Sequence, residues 1–372
     1  MNLSATILQM AYEHGFDLVG ITSTEDFLAA QEHAIDQVNK GHMDGLNWYT
    51  KARILRGSSP SVLMPEVKSI ISLGLNYYQS RNANDWSDAH IAKYAQGRDY
   101  HKTLKTMMRN YINALEKEVD YGISAKWYVD DGPMLDKAIA QRSGLGWFGK
   151  NSNILSKRYG SWILLGEILT DLSLESNEPL LTNCGDCTIC IDMCPTEAIV
   201  EPYQVNTSLC ISFHTIENRG SVPINLRKSF GQWVFGCDIC QDVCPVNKFQ
   251  ADTRSNQFDT NRTSTSILEL LEMSEQAFKA KFAGTPVMRA KYSGMQRNAC
   301  IAAGNHLDNA NLPGLLKCLE AIDPIVRSHA AWALGQFDTT ATRQALKIRR
   351  KSEEDAGVIT EIDIALGTST NQ

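Results

Sequence analysis

The spacing of apolar positions changes period several times along this 372-residue chain, and each change marks an element. Positions 1–14 carry apolar residues at helical spacing and stop at Gly15, which predicts an amphipathic helix. Residues 16–22 predict a strand. Thr24, Glu25 and Asp26 supply a cap and an acidic first turn for a second helix running to Gly41. Residues 67–78 read as a strand, apolar enough around Leu73 and Leu75 to be buried. A long helix is expected over 100–121, a strand over 125–130, and a helix over 133–143 with Pro133 near its first turn. Two more strands fall near 152–156 and 161–169. Helices and strands interleave, so residues 1–173 are expected to form an α+β or α/β domain.

Beyond a cysteine-rich stretch, residues 252–264 are polar and turn-rich and read as a linker. Everything after them has helical spacing. There the segment Asn298 to Asn305 resembles His329 to Gln336, offset by 31 residues, with a shared Ala-x-x-Ala-x-Gly pattern. Small residues at that spacing let two helices approach closely, and the offset suits a paired-helix repeat. Residues 265–372 are therefore expected to form a short HEAT-like solenoid. The whole is a multidomain α+β chain, with boundaries expected at 1–173, 174–251 and 265–372.

Composition changes this picture in two places. The chain is long enough for two or three domains, and its residue usage is that of an ordinary globular protein. No stretch approaches the ~20 apolar residues of a membrane span, and the first ten residues show no basic leader. A cytoplasmic protein that does not enter the membrane is expected. The net charge is −6, yet residues 286–351 hold ten Lys or Arg against four acids, a local +6 that leaves −12 elsewhere. Such a segment is either a footprint for phosphate or a solvated helical face.

Cysteine spacing carries the strongest chemical signal. Eight of the ten cysteines lie between 184 and 245: Cys184, Cys187, Cys190 and Cys194 followed by Pro195, then Cys210, then Cys237, Cys240 and Cys244 followed by Pro245. The first run has the C-x2-C-x2-C-x3-C-P spacing of a two-[4Fe–4S] ferredoxin, in which the fourth cysteine of each run serves the other run's cluster. That spacing assigns one cluster to Cys184, Cys187, Cys190 and Cys244. Val234 occupies the place of the second run's first cysteine. Cys194, Cys237 and Cys240 then need a fourth thiolate, and Cys210 is the spare one. Structural zinc favours two C-x2-C pairs without the triplet, and disulfides need an oxidising compartment.

Other motifs are weaker. Gly144-Leu-Gly146-Trp-Phe-Gly149-Lys150 matches a dinucleotide fingerprint and a P-loop, but it follows a helix, and Asn151 stands where a P-loop has Ser or Thr. A glycine turn packed on a cofactor suits it better. The eight histidines form no ligand-spaced pair. Asp130 ends a strand before Asp131-Gly132-Pro133: it either caps the next helix or is an acid facing a cofactor. Tyr94, Arg98, Asp99, Tyr100 and His101 either line a pocket or staple a loop.

Taken together, the motifs resemble the epoxyqueuosine reductases. Those that carry the resemblance are Tyr94 to His101, Val129-Asp130-x-x-Pro133, Gly144 to Asn151, both cysteine runs, Cys210-Ile-Ser, Thr215-Ile-Glu217, Gly236 to Pro245, Arg297-Asn298 and Val326 to Gly335. They cover nearly the whole chain. The resemblance implies a nitroreductase-like cobalamin-binding catalytic domain, a ferredoxin-like domain with two [4Fe–4S] clusters, and a HEAT-like tail that helps hold tRNA. It implies reduction of epoxyqueuosine to queuosine at the anticodon wobble position through Co(I) cobalamin, with Asp130 as proton donor. By the same resemblance Arg53, Lys93, Tyr94, Ser212, Gly236 and Cys237 fall where cobalamin is contacted. The implied partners are tRNA and an external low-potential electron donor, and the implied state is a monomer. Asp131-Gly132 departs from the small Ser/Thr-Ala pair of that family, and His214 replaces a more apolar residue. Two other classes remain open on sequence. A reductive dehalogenase-type cobalamin enzyme usually has a twin-arginine leader and no basic helical tail. A ferredoxin-like carrier would leave the N-terminal domain without a use.

Overall fold

A computed structural model describes residues 2–80, 87–119, 121–248, 250–258 and 263–368. Residue 120 of the expected long helix, residues 259–262 of the expected linker and residues 369–372 of the helical tail lie outside the described residues, as does Met1. The chain forms two compact units, each assembled from three segments. One comprises Met1–Ser80, Asp99–Ser208 and Ile239–Phe258, the other Arg81–Arg98, Leu209–Asp238 and Asp259–Gln372.

The first unit is built on a four-stranded sheet. Its elements in chain order are α1 (Leu3–Glu13), β1 (Leu18–Thr22), α2 (Leu28–Asn39), α3 (Lys51–Gly57), β2 (Ser69–Asn76), α4 (Tyr100–Val119), β3 (Ala125–Tyr128), α5 (Asp136–Arg142) and β4 (Ile163–Thr170). The strand order is β1-β2-β4-β3, and every pairing is antiparallel, so the unit is α+β. All eight residues of β2 are buried, because helices cover both faces of the sheet. On one face α4 approaches Gly166 through Met108. On the other the end of α5 lies so close to β1 that a Cβ on Gly20 would sit 2.1 Å from the Ser143 carbonyl oxygen. One cross-strand row on that second face runs Gly20, Ser72, Glu167, Tyr128.

Two helices start later than their sequence predicts. The second helix begins at Leu28, without the cap and acidic turn expected at residues 24–26. Phe27 is drawn into the core, and Arg142 donates to the Ser23 and Glu25 carbonyls, which holds 23–26 out of helical conformation. The helix expected from residue 133 begins at Asp136. Pro133 instead runs against α3, where a Cβ on Gly57 would meet the Pro133 carbonyl oxygen at 1.7 Å. Only glycine admits that contact.

The second unit is mainly helical: α6 (Ile267–Glu272), α7 (Glu275–Phe282), α8 (Lys291–His306), α9 (Leu312–Leu319), α10 (Pro324–Phe337), α11 (Thr340–Ser352) and α12 (Ala356–Leu366). The small-residue pattern works as expected. A Cβ on Gly304 would meet Trp332 and Ala333 of α10, and one on Gly335 would meet Ala365 of α12. Three helices thus stack at close range through the repeat. Arg297 and Asn298 of α8 are buried and donate to the carbonyls of His214, Thr215, Asn218, Gly220 and Val234. They clamp the segment that carries Cys210 and Ser212.

The basic stretch is less free than its count suggests. Arg289 pairs with Glu217, Arg327 and Arg349 share Glu353, Arg343 pairs with Asp338, and Arg350 with Asp363. With Arg297 buried, all six arginines serve the fold. Lys291, Lys317, Lys347 and Lys351 form no ion pair among the described residues and carry the available positive charge.

Candidate active site

Asp130 stands just past the end of β3 with φ of +53°, a left-handed conformation that aspartate tolerates better than most residues. That kink turns its carboxylate toward α4, where the Tyr100 hydroxyl donates to Asp130 Oδ2 at 2.6 Å. The other oxygen is left for a substrate or a second donor. Tyr100 is itself fixed by stacking on His101, whose ring nitrogen lies 2.8 Å from Asp99. The loop beyond is held from two sides. Arg53 of α3 donates to the Gly132 carbonyl, and Lys105 of α4 pairs with Asp131. The Asp131-Gly132 pair now has a reason: a Cβ at Gly132 would sit 2.2 Å from the Tyr128 ring, and Asp131 has its own lysine.

Behind this loop lies a group that the sequence reading passed over. Glu167, in the middle of β4, is fully buried, and among the described residues no N–H or hydroxyl reaches either carboxyl oxygen. The carboxyl of Asp136, at the start of α5, is in hydrogen-bond contact with it, which requires a shared proton. Burial pushes Glu167 well above the ordinary 4.5, and the Asp136 charge adds to it. Burial also raises Asp136, to about 6. The Asp130 charge acts on both. Beside them the exposed Lys137 donates to the Ser152 carbonyl at 2.8 Å and faces the charges of Asp130, Asp136 and Cys240. The signal available in the sequence was an acid inside the apolar run Ile163-Leu-Leu-Gly-Glu167-Ile-Leu.

All ten cysteines are free thiols. In the first unit Cys184, Cys187 and Cys244 lie near enough to Cys190 for their charges to act on its thiol. Burial, then the charges of Cys184, Cys244 and Cys187, push the Cys190 thiol up to about 11. Free thiols are soft donors of the kind an iron–sulfur cluster takes, while among the described residues no group of three or more such side chains closes around a metal position. Lys150 donates to the Gly185 carbonyl and Asn151 to that of Cys240, so the glycine-rich motif braces the cysteine loops. Cys194 also belongs to this unit, with the Ala198 amide donating to its sulfur at 3.3 Å.

The second unit holds Lys93, Tyr94, Cys210, Ser212, Gly236 and Cys237. Lys93 donates its backbone N–H to the buried Asp238 at 2.8 Å. Tyr94 packs near Phe235, and the helix over Ile211–Ile216 begins directly after Cys210. Gly236 has φ of +68° and donates to the Thr215 hydroxyl, which ties the Cys237 turn to that helix. His214 is buried between Phe213 and Phe230, with the Asn218 amide on its ring nitrogen.

Three family models match: 4Fe-4S double cluster binding domain over residues 183–247, epoxyqueuosine reductase QueG, DUF1730 over 58–131, and HEAT repeats over 288–367. The epoxyqueuosine reductase of Vibrio cholerae is 34% identical over 362 residues, 95% of this chain and 97% of its own. That of Cellulophaga algicola is 38% identical over 286 residues, 76% of this chain and 92% of its own. A crystal structure of an epoxyqueuosine reductase with an epoxyqueuosine-modified tRNA-Tyr stem loop superposes with a TM-score of 0.92 at 30% identity, covering 98% of each chain. A Bacillus subtilis epoxyqueuosine reductase, described with its catalytic aspartate loop swung out of the active site, gives 0.91 at 29% identity and covers 99% of each chain. The chain belongs to the epoxyqueuosine reductase family. No described helix is long and apolar enough to cross a membrane.

Proposed function

We propose that this chain reduces epoxyqueuosine to queuosine at the wobble position of a tRNA anticodon, using cobalamin and two [4Fe–4S] clusters, with Asp130 as proton donor. The observation that carries the reading is Asp130 itself, on a left-handed kink and oriented by Tyr100 in a chain of this family. A relative whose catalytic aspartate sits on a mobile loop supports the same role for the 130–133 loop.

Removing an epoxide oxygen as water takes two electrons and two protons. Cobalamin, when bound, would supply the electron-rich metal centre that reacts with the epoxide carbon. The chain's own residues do the rest. Asp130 gives a proton to the departing oxygen, which is otherwise a poor leaving group. Tyr100, donating to Oδ2, keeps the other carboxyl oxygen turned outward. Arg53 holds the Gly132 carbonyl and with it the loop, while Lys93, Tyr94, Ser212 and the Gly236-Cys237 turn are polar and aromatic groups suited to a cofactor rich in amide groups.

For the clusters, Cys184, Cys187, Cys190 and Cys244 serve one and Cys194, Cys210, Cys237 and Cys240 the other, passing single electrons from an external low-potential donor. The tRNA substrate is supported by the relative solved with a modified stem loop. The base must be splayed out of the loop to reach a buried centre, as single-stranded RNA recognition permits. The lysines of the helical unit then meet phosphate. The three functional regions fall at 1–173, 174–251 and 265–372, and the protein works as a cytoplasmic monomer.

The test compares Asp130→Asn with wild-type protein, both loaded with clusters and cobalamin. Loss of epoxyqueuosine conversion by about a hundredfold or more, with iron and corrinoid content unchanged, is the expected result. Equal conversion by the variant would remove Asp130 from the mechanism.

A further inference from the structure

The reaction consumes two protons, and Asp130 holds one. We propose that the buried Glu167 and the half-buried Asp136 form a proton store that recharges Asp130, so that one carboxyl at the site delivers both protons within a turnover. The inference rests on the proposed epoxide reduction and concerns its second proton.

The geometry is the starting point. Glu167 is fully buried with both oxygens unmet by any donor, and Ser72, directly across the β2–β4 register, has a buried hydroxyl without a partner. A carboxylate in such a place would be stranded. A protonated Glu167 bonded to Asp136 is not, and the mutual effect of the two carboxyls is that of a pair sharing one proton. Asp136 starts α5 directly beyond the 130–135 loop, and the charge of Asp130 is felt by both acids. The other groups facing the pair are Lys137 from α5, Asp131 from the loop, Arg53 from α3, Tyr49 before it and Tyr128 from β3.

The steps balance. Two C–O bonds of the epoxide break and one C–C π bond forms, with two electrons entering from the low-potential donor through the clusters. Asp130 transfers its proton to the oxygen and becomes a carboxylate. Glu167 then gives its proton to the Asp136 carboxylate, Asp136 hands that same proton to Asp130, and Asp130 delivers it to make water. Bulk solvent refills the store between turnovers. Glu167 and Asp136 act through Asp130 and touch no substrate.

Infrared titration of the full-length protein is the first test. A protonated-carboxyl band should persist at pH 8, vanish in Glu167→Gln and remain in Asp130→Asn. The second test is the pH profile of turnover. Glu167→Gln should match wild type near pH 6 and fall by about a hundredfold at pH 8, the low end of what a positioned proton donor contributes. Added imidazole should restore it in proportion to concentration. Asp136→Asn, at a half-buried position, should show the same profile and serves if the Gln variant folds poorly. Absence of the band from wild type overturns the store, and so does a Glu167→Gln loss that is independent of pH and of imidazole. If wild type converts no substrate, the proposed reaction fails, while the infrared band still decides the store.

Discussion

Glu167 shows how a single side chain sets a cost that the rest of the fold must carry. Folded, its carboxyl binds a proton far more tightly than the ordinary 4.5 of an exposed glutamate. Its contribution to stability is therefore full below that value and is lost as pH rises toward the raised folded value. Glu167→Gln removes this dependence. Its melting temperature should climb relative to wild type between pH 5 and pH 8, and thermal melts across that range check it. A constant difference would mean that the carboxyl is not held protonated. Asp130 was legible in the sequence because Pro133 fixes its place after a strand-forming run. Glu167 was not, since a strand's cross-sheet neighbours, here Ser72 and Tyr128, are separated from it in sequence. The same holds for Gly132, whose need appears only when Tyr128 is seen against it.

Among the elements, strands and the repeat were read correctly, and two helix starts were not. Thr24-Glu-Asp has the composition of a cap, but Arg142, over a hundred residues later, takes the carbonyls there for its own guanidinium. Local propensity lost to a distant donor. The basic segment stood open between a phosphate footprint and a solvated face, because sequence counts charges without their partners. Glu353, joining α11 to α12, accepts from Arg327 at 2.8 Å and from Arg349 at 2.9 Å. The Arg327 guanidinium, hydrogen-bonded to it, holds its carboxyl down to about 2. This contribution is present above the ordinary 4.5 and lost as pH falls toward 2. Glu353→Gln should cost about 3 kcal/mol near pH 7, and the difference should shrink toward pH 2. Denaturant unfolding followed by circular dichroism at both pH values measures it.

At the scale of the molecule, chemistry is distributed over chain segments that sequence order keeps apart. Cys244 joins three cysteines more than fifty residues earlier, and the Arg297-Asn298 pair of α8 holds the segment around Thr215. The ferredoxin spacing made a double-cluster domain legible, and the 4Fe-4S double cluster model matches residues 183–247. The tail motif Arg297-Asn298 is a buried clamp, and among the described residues of the basic stretch four lysines form no ion pair. The most direct measurement is nucleoside analysis of epoxyqueuosine-containing tRNA incubated with the cluster-loaded protein and a low-potential reductant, with and without added cobalamin. Queuosine should form in the presence of cobalamin and be absent without it. No queuosine from protein carrying both clusters and cobalamin, or equal yields in the two samples, would contradict the account.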